Sequence, residues 1–191
     1  MRVFRIFLAL FASLMAKDEF FGGEKKGKKE VAPVSNELYK KECASCHFGY
    51  QPGLLPKTSW QHIMSTLDKH YGVDASLENS DVKALNEYIL PNSAEYAQGY
   101  KRSAKIAKSL RPGELYTSIT QIPYIKKKHE DVNSWLEKNP KGIIAKKEVK
   151  TMANCSACHK KADNGVFSKK RLKNLLMVLG ETSEVFRNSR I

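Results

Sequence analysis

Cys43-Ala44-Ser45-Cys46-His47 returns later in the chain as Cys155-Ser156-Ala157-Cys158-His159. In each stretch two thiols flank two small residues and an imidazole follows at once. That spacing suits covalent haem attachment: the two thiols add across the two vinyl groups of one haem, and the adjacent histidine turns to the iron as proximal ligand. The repeat matters more than either copy. The chain holds four cysteines in all, so two such sites leave no thiol over. One CxxC alone could serve a thioredoxin-like redox pair or half a zinc site. A zinc site made from both pairs would have to close the gap from Cys46 to Cys155, far longer than the knuckle spacings of zinc ribbons. Two covalently bound haem c groups are therefore expected, held by Cys43, Cys46, Cys155 and Cys158, with His47 and His159 on the irons.

The chain's first residues fit that chemistry. Residues 1 to 16 carry Arg2 and Arg5, an apolar run over 6 to 14, and Ala16 before Lys17-Asp18-Glu19, the layout of a secretory signal peptide. The apolar run is shorter than the roughly 20 residues needed to span a bilayer, so a cleaved signal is expected rather than an anchor. Leu14 at the minus-three position is an imperfect match for cleavage after Ala16. Exported cysteines normally form disulfides; here thioethers account for all four. The expected location is the periplasm, with no membrane span in the mature chain.

The whole chain has 33 Lys and Arg against 20 Asp and Glu, a formal charge of +13. Residues 1 to 16 contain two arginines and no acid, so residues 17 to 191 keep +11. A cationic carrier suits an acidic docking surface or an anionic membrane. Nucleic acid is not expected, because the protein is read as exported and its lysines are spread rather than gathered in a recognised motif.

Residues 17 to 35, rich in Lys, Gly and Glu, read as a flexible lead-in. Asn36 is placed to cap a short helix that delivers the first CxxCH. After the Pro52-Gly53 and Pro56 loop, Ser59 is placed to cap a second helix with Trp60, Ile63, Met64, Leu67 and Tyr71 at helical spacing. At about 100° per residue His70 falls at the edge of that apolar face, whereas His62 falls with Lys69 on the polar side. A histidine so placed is ordinarily a hydrogen-bonded core residue; a nearby iron that lacks a sixth ligand favours ligation. A third helix starts near Asn79-Ser80, shows Val82, Leu85, Tyr88 and Ile89 on one side, and stops before Pro91. Residues 36 to 92 thus read as a small cytochrome-c-like haem domain.

Residues 93 to 167 form the second haem region, mostly helical and partly irregular. Residues 92 to 110 read as a polar helix with Tyr96, Tyr100, Ala104 and Ala107 on a stripe, ended by Arg111-Pro112-Gly113. Residues 115 to 124 read as extended or irregular, leading into a helix with Pro123 in its first turn. On that helix His129 shares a face with Ile125 and Val132, which makes it the candidate for the second iron. Methionines remain alternatives: Met64 for the first haem, Met177 or, less easily, Met152 for the second. Trp60 and Trp135 read as core or haem-packing aromatics. Residues 168 to 191 form an amphipathic tail through Leu172, Leu175, Leu176 and Leu179, with Gly180 able to end it.

These residues together resemble the bacterial periplasmic dihaem cytochrome c family over about residues 37 to 167. The resemblance lies in Glu42 with the first CxxCH, Gly53-Leu54-Leu55-Pro56 with Ser59-Trp60, Asp68-Lys69-His70-Tyr71-Gly72 and Asp74-Ala75-Ser76-Leu77. It continues in Arg111-Pro112-Gly113-Glu114, Pro123-Tyr124, Lys128-His129 and Ala153-Asn154 with the second CxxCH. It implies two bis-histidine haems, His47 pairing with His70 and His159 with His129. It further implies a first domain like cytochrome c and a less familiar second one. As partners it implies an oxygen-binding monohaem cytochrome or a membrane b-type cytochrome. The lead-in and the tail lie outside it. The resulting expectation is a mainly α electron carrier, not an enzyme. The alternatives are a dihaem enzyme, such as a peroxidase or a small reductase subunit, and a haem-based sensor, each needing one open iron.

Overall fold

Asn36 opens the first helix: its side-chain oxygen accepts the Tyr39 backbone N–H at 2.8 Å, satisfying one of the donors that a helix start leaves unpaired. The computed structural model describes residues 29 to 138 and 151 to 167. The expected signal peptide, most of the expected lead-in, residues 139 to 150, and the expected tail with Met177 lie outside the described residues. Helix α1 spans Glu37–Cys43, α2 Lys57–Ser65, α3 Asn79–Ile89, α4 Lys101–Ala107, α5 Pro123–Lys138 and the one-turn α6 Cys155–Cys158. Short 3-10 turns at Pro52–Leu54, Leu67–Lys69, Leu90–Asn92, Ile119–Gln121 and Ala162–Asn164 join them. Among the described residues there is no strand, only the isolated bridges His70 to Val73 and Lys161 to Val166. The architecture is mainly α, as the sequence predicts.

The elements α1 to α3 close over one apolar centre. Tyr39 of α1 meets Trp60 of α2 edge-on at 6.3 Å and Tyr88 of α3 at 5.8 Å. Trp60 donates its indole N–H to the Pro52 carbonyl at 2.8 Å, so a large ring is buried without an orphaned donor. Leu54, Leu85 and Ile89 are buried beside them, and the same cluster continues through Ala94, Ile106, Ile122, Ala162 and Phe167. The buried side chains of the two haem-bearing regions therefore touch rather than forming separate islands.

Two expected helices are shorter in the structure. α2 starts after Pro56, so that Ser59 lies inside it, and it ends at Ser65. The Ser65 and Thr66 hydroxyls donate to the His62 carbonyl at 2.9 and 2.8 Å, competing with the helical ladder. A 3-10 turn follows and His70 stands at its end in extended conformation. The helix expected over 92 to 110 is confined to α4. Ala94 spends its N–H on the Leu55 carbonyl at 2.9 Å, 39 residues away in sequence, and a tertiary bond of this kind replaces a local one.

The lead-in is packed where it is described. Val31 is fully buried, and the N–H groups of Glu30 and Val31 both donate to the Gly165 carbonyl, at 2.7 and 3.2 Å. Gly165 itself has φ +72°, and a Cβ built there would collide with the Val31 carbonyl oxygen. Gly165→Ala should therefore destabilise the folded protein by about 2 kcal/mol or more, through left-handed strain plus a displaced backbone. Denaturant titration of the haem-loaded protein measures this.

Candidate haem-binding sites

The first CxxCH begins at the last residue of α1, Cys43, so the helix delivers one thiol and the turn after it delivers Cys46 and His47. His47 Nδ1 lies 2.8 Å from the Phe48 carbonyl. A carbonyl only accepts, so Nδ1 carries the proton and Nε2 keeps its lone pair for a metal. His70 reaches the same place from the turn after α2. The turn is held by Val73 N–H to His70 C=O at 3.1 Å and Ala75 N–H to Leu67 C=O at 2.9 Å. It is closed by left-handed backbone at Tyr71 (φ +49°) and Gly72 (φ +91°). Tyr71 donates its hydroxyl to the Thr117 carbonyl, pinning the turn to the later chain. The His47 and His70 ring centres are 6.0 Å apart, with planes inclined by 22°.

The second site repeats the arrangement with different supports. Pro123 begins α5, as its missing N–H allows at a helix start, and regular helix carries His129 round to face His159. His129 Nδ1 donates to the Ile125 carbonyl one turn earlier at 2.8 Å, again leaving the lone pair on Nε2 for a metal. The ring centres of His129 and His159 are 6.2 Å apart with planes at 84°. Among the described residues, the buried Nδ1 of His159 has no hydrogen-bond partner.

Both spacings fit two imidazoles bound on opposite sides of one iron. With about 2 Å from metal to nitrogen and roughly 1.1 Å from nitrogen to ring centre, trans ligands have ring centres about 6.3 Å apart. The local electrostatics favour the neutral imidazole that ligation needs. Burial, then the neighbouring His47, lowers the pKa of His70. Burial lowers that of His129, and burial, His129 and Arg102 bring His159 down to about 4.

The thiols argue against the other uses of CxxC. Burial pushes Cys43 up to about 11 and Cys155 to about 12, the reverse of the lowered pKa of a reactive redox dithiol. No group of three or more His, Cys, Asp or Glu among the described residues could hold a metal ion, so the two CxxC pairs do not converge on one zinc. Met64 is buried in the core, where it packs as expected. His62 makes no ring contact with any of the four paired histidines among the contacts of the described residues.

Three residues that join the sites carried no sequence signal. Tyr50 places its ring 5.7 Å from His47 and donates its hydroxyl to the Ala153 carbonyl at 2.6 Å, two residues before Cys155. Gln51, fully buried, donates to the Ala162 carbonyl at 2.6 Å. Arg102 binds Glu30 at 2.9 Å and lies over Phe167. Their partners are 65 to 111 residues away in sequence, beyond the reach of any local pattern.

Residues 39–167 match the family described as dihaem cytochrome c. A dihaem cytochrome c from Rhodobacter sphaeroides is 31% identical, with a TM-score of 0.59 over 72% of this chain and 100% of that one. A second structure of the protein purified from the same organism gives 30%, 0.52, 71% and 99%. A dihaem cytochrome c from Shewanella baltica gives 28%, 0.50, 70% and 88%. No curated protein matches the chain. With two CxxCH motifs, two facing histidine pairs and a family match over most of its length, the chain belongs to the dihaem cytochrome c family.

Proposed function

We propose that the protein is a periplasmic electron carrier with two bis-histidine haems. The observation that carries this reading is the pairing of imidazoles at 6.0 and 6.2 Å, one pair beside each CxxCH. Cys43 and Cys46 would hold one haem by thioethers, Cys155 and Cys158 the other. His47 with His70, and His159 with His129, would fill the axial positions. When bound, each haem supplies one-electron chemistry between ferric and ferrous iron. The chain orients His47 and His129 through the Phe48 and Ile125 carbonyls, and with two histidines on each iron no iron position would remain for a substrate. This favours transfer over catalysis or gas sensing. Among the described residues no helix is long and apolar enough to cross a membrane.

A second histidine in place of methionine lowers a haem potential. Both couples should therefore lie below those of His/Met cytochromes c in a redox titration. One couple in the His/Met range would return Met64 or Met177 to consideration.

The partner proposed is a redox protein with an acidic docking face, such as an oxygen-binding monohaem cytochrome or a membrane b-type cytochrome. The charge of +11 on residues 17 to 191 supports it. Long-range attraction speeds encounter, and the screening length falls from about 10 Å at 0.1 M salt to roughly 3 Å at 1 M. Stopped-flow electron exchange with an acidic cytochrome should slow steeply over that range. A rate indifferent to salt would place recognition on an apolar patch instead.

A further inference from the structure

Arg102 and Glu30 form the most enclosed ion pair among the described residues, with side chains 13% and 26% exposed. Arg102 Nη2 donates to Glu30 Oε2 at 2.9 Å, and the same oxygen accepts the Phe167 N–H at 2.9 Å. The Arg102 backbone N–H in turn binds the Glu30 carbonyl at 2.9 Å. The pair is therefore fixed at both main chain and side chain. The guanidinium lies 5.1 Å from the Phe167 ring centre and 5.8 Å from that of Tyr124. Phe167 packs 5.5 Å from the His159 ring, and Tyr124 lies on α5, the helix that carries His129. The cation thus stands between the two elements that bear the histidines of the second site. Its Nε is buried without a partner among the described residues.

Beside the first site lies a different ion pair, Lys41 with Glu42 at 2.6 Å, next to Cys43 and with its lysine exposed. Lys105 and Lys128 also lie near Tyr124, at 6.0 and 5.8 Å. Lys105 is exposed, and solvent screens its charge more than that of the enclosed Arg102.

We propose that Arg102 and Glu30 set the reduction potential of the second haem, Arg102 raising it and Glu30 lowering it, with a smaller effect on the first. The inference rests on the assignment of His129 and His159 to one iron. Reduction takes one electron from the external reductant and turns ferric iron to ferrous, lowering the charge of the site by one. A fixed cation nearby disfavours the more positive ferric form and a fixed anion favours it. Arg102 and Glu30 are positioning residues in this sense, acting through the field they hold at the site.

The test is a spectroelectrochemical titration of the full haem-loaded protein at neutral pH, with dithionite as reductant. It compares wild type, Glu30→Gln, Arg102→Gln and Arg102→Lys, the two couples being assigned through His129→Ala. Glu30→Gln should move the second couple up, Arg102→Gln should move it down, and Arg102→Lys, which keeps the charge, should return it toward wild type. The first couple should move less. A merely structural pair would shift the second couple in the same direction in both charge-removing variants, or not at all, and either result overturns the proposal. So does an equal movement of both couples. If Arg102→Gln fails to fold, Glu30→Gln and Arg102→Lys decide by the same criteria. Ferric spectra of the same samples keep the two questions apart. Low-spin haems with an unmoved second couple defeat the charge proposal alone, whereas a high-spin second haem in wild type defeats the ligand assignment beneath it.

Discussion

Replacing His70 or His129 by alanine is expected to turn one low-spin haem in each case into a high-spin or ligand-accepting one, with carbon monoxide binding rising from little or none to one equivalent. The expectation follows from how each imidazole is supported. His129 is carried by regular helix and oriented by the Ile125 carbonyl at 2.8 Å, and its ring faces His159 at 6.2 Å. His70 is held by a turn bonded at both ends and faces His47 at 6.0 Å. Truncation at Cβ removes the nitrogen and leaves the supporting backbone unchanged, so the iron loses one ligand while the CxxCH keeps the other. His62→Ala is the control, since His62 lies on α2 and shares no ring contact with either pair among the contacts of the described residues. Absorption spectra and carbon monoxide titration of the three variants measure the effect. A spectral change confined to His62→Ala would reverse the assignment.

Replacing Cys155 and Cys158 together by alanine should lower the covalent haem content from two per chain to one, and replacing Cys43 and Cys46 should do the same. The four thiols are free of disulfides among themselves, and the motif spacing assigns each pair to one haem. The stability effect should differ between the sites. α6 is a single turn without a side-chain cap, whereas Cys43 ends a longer, capped helix, so the second site would depend more on its thioethers than the first. Covalent haem is counted after acid extraction removes what is not bound through sulfur. Retention of two covalent haems in either double variant would contradict the attachment scheme.

Chemistry that fixes its own spacing was legible in the chain. Thioether attachment confines two thiols and a histidine to five residues, so two candidate sites stand out in the sequence. His129 stood out for a different reason: Pro123 starts a regular helix, and in the structure the imidazole lies 6.2 Å from that of His159. The reading of His70 used the same helical period, but α2 ends at Ser65 and a 3-10 turn with left-handed backbone at Tyr71 and Gly72 delivers His70 instead. Hydroxyl competition at Ser65 and Thr66 ends the helix, and propensity over the stretch does not foretell it. The helix expected over 92 to 110 failed similarly, because Ala94 bonds Leu55 across the fold. Glu30, Tyr50, Gln51 and Arg102 were illegible, since their roles exist only once distant segments meet.

The ferric electron paramagnetic resonance spectrum of the purified protein, recorded with its absorption spectrum, tests bis-histidine ligation most directly. The two sites should both be low-spin yet distinguishable. With both imidazoles on the iron, ring planes inclined by 22° at the first site would split the two iron orbitals that mix with imidazole and give an ordinary rhombic signal. Planes at 84° would leave those orbitals nearly equal in energy and give a signal with a much larger maximum g value. The account predicts one signal of each kind, in equal amounts, with no sulfur-to-iron charge-transfer band at the red end of the absorption spectrum. A high-spin signal from either haem, or that band, would contradict it.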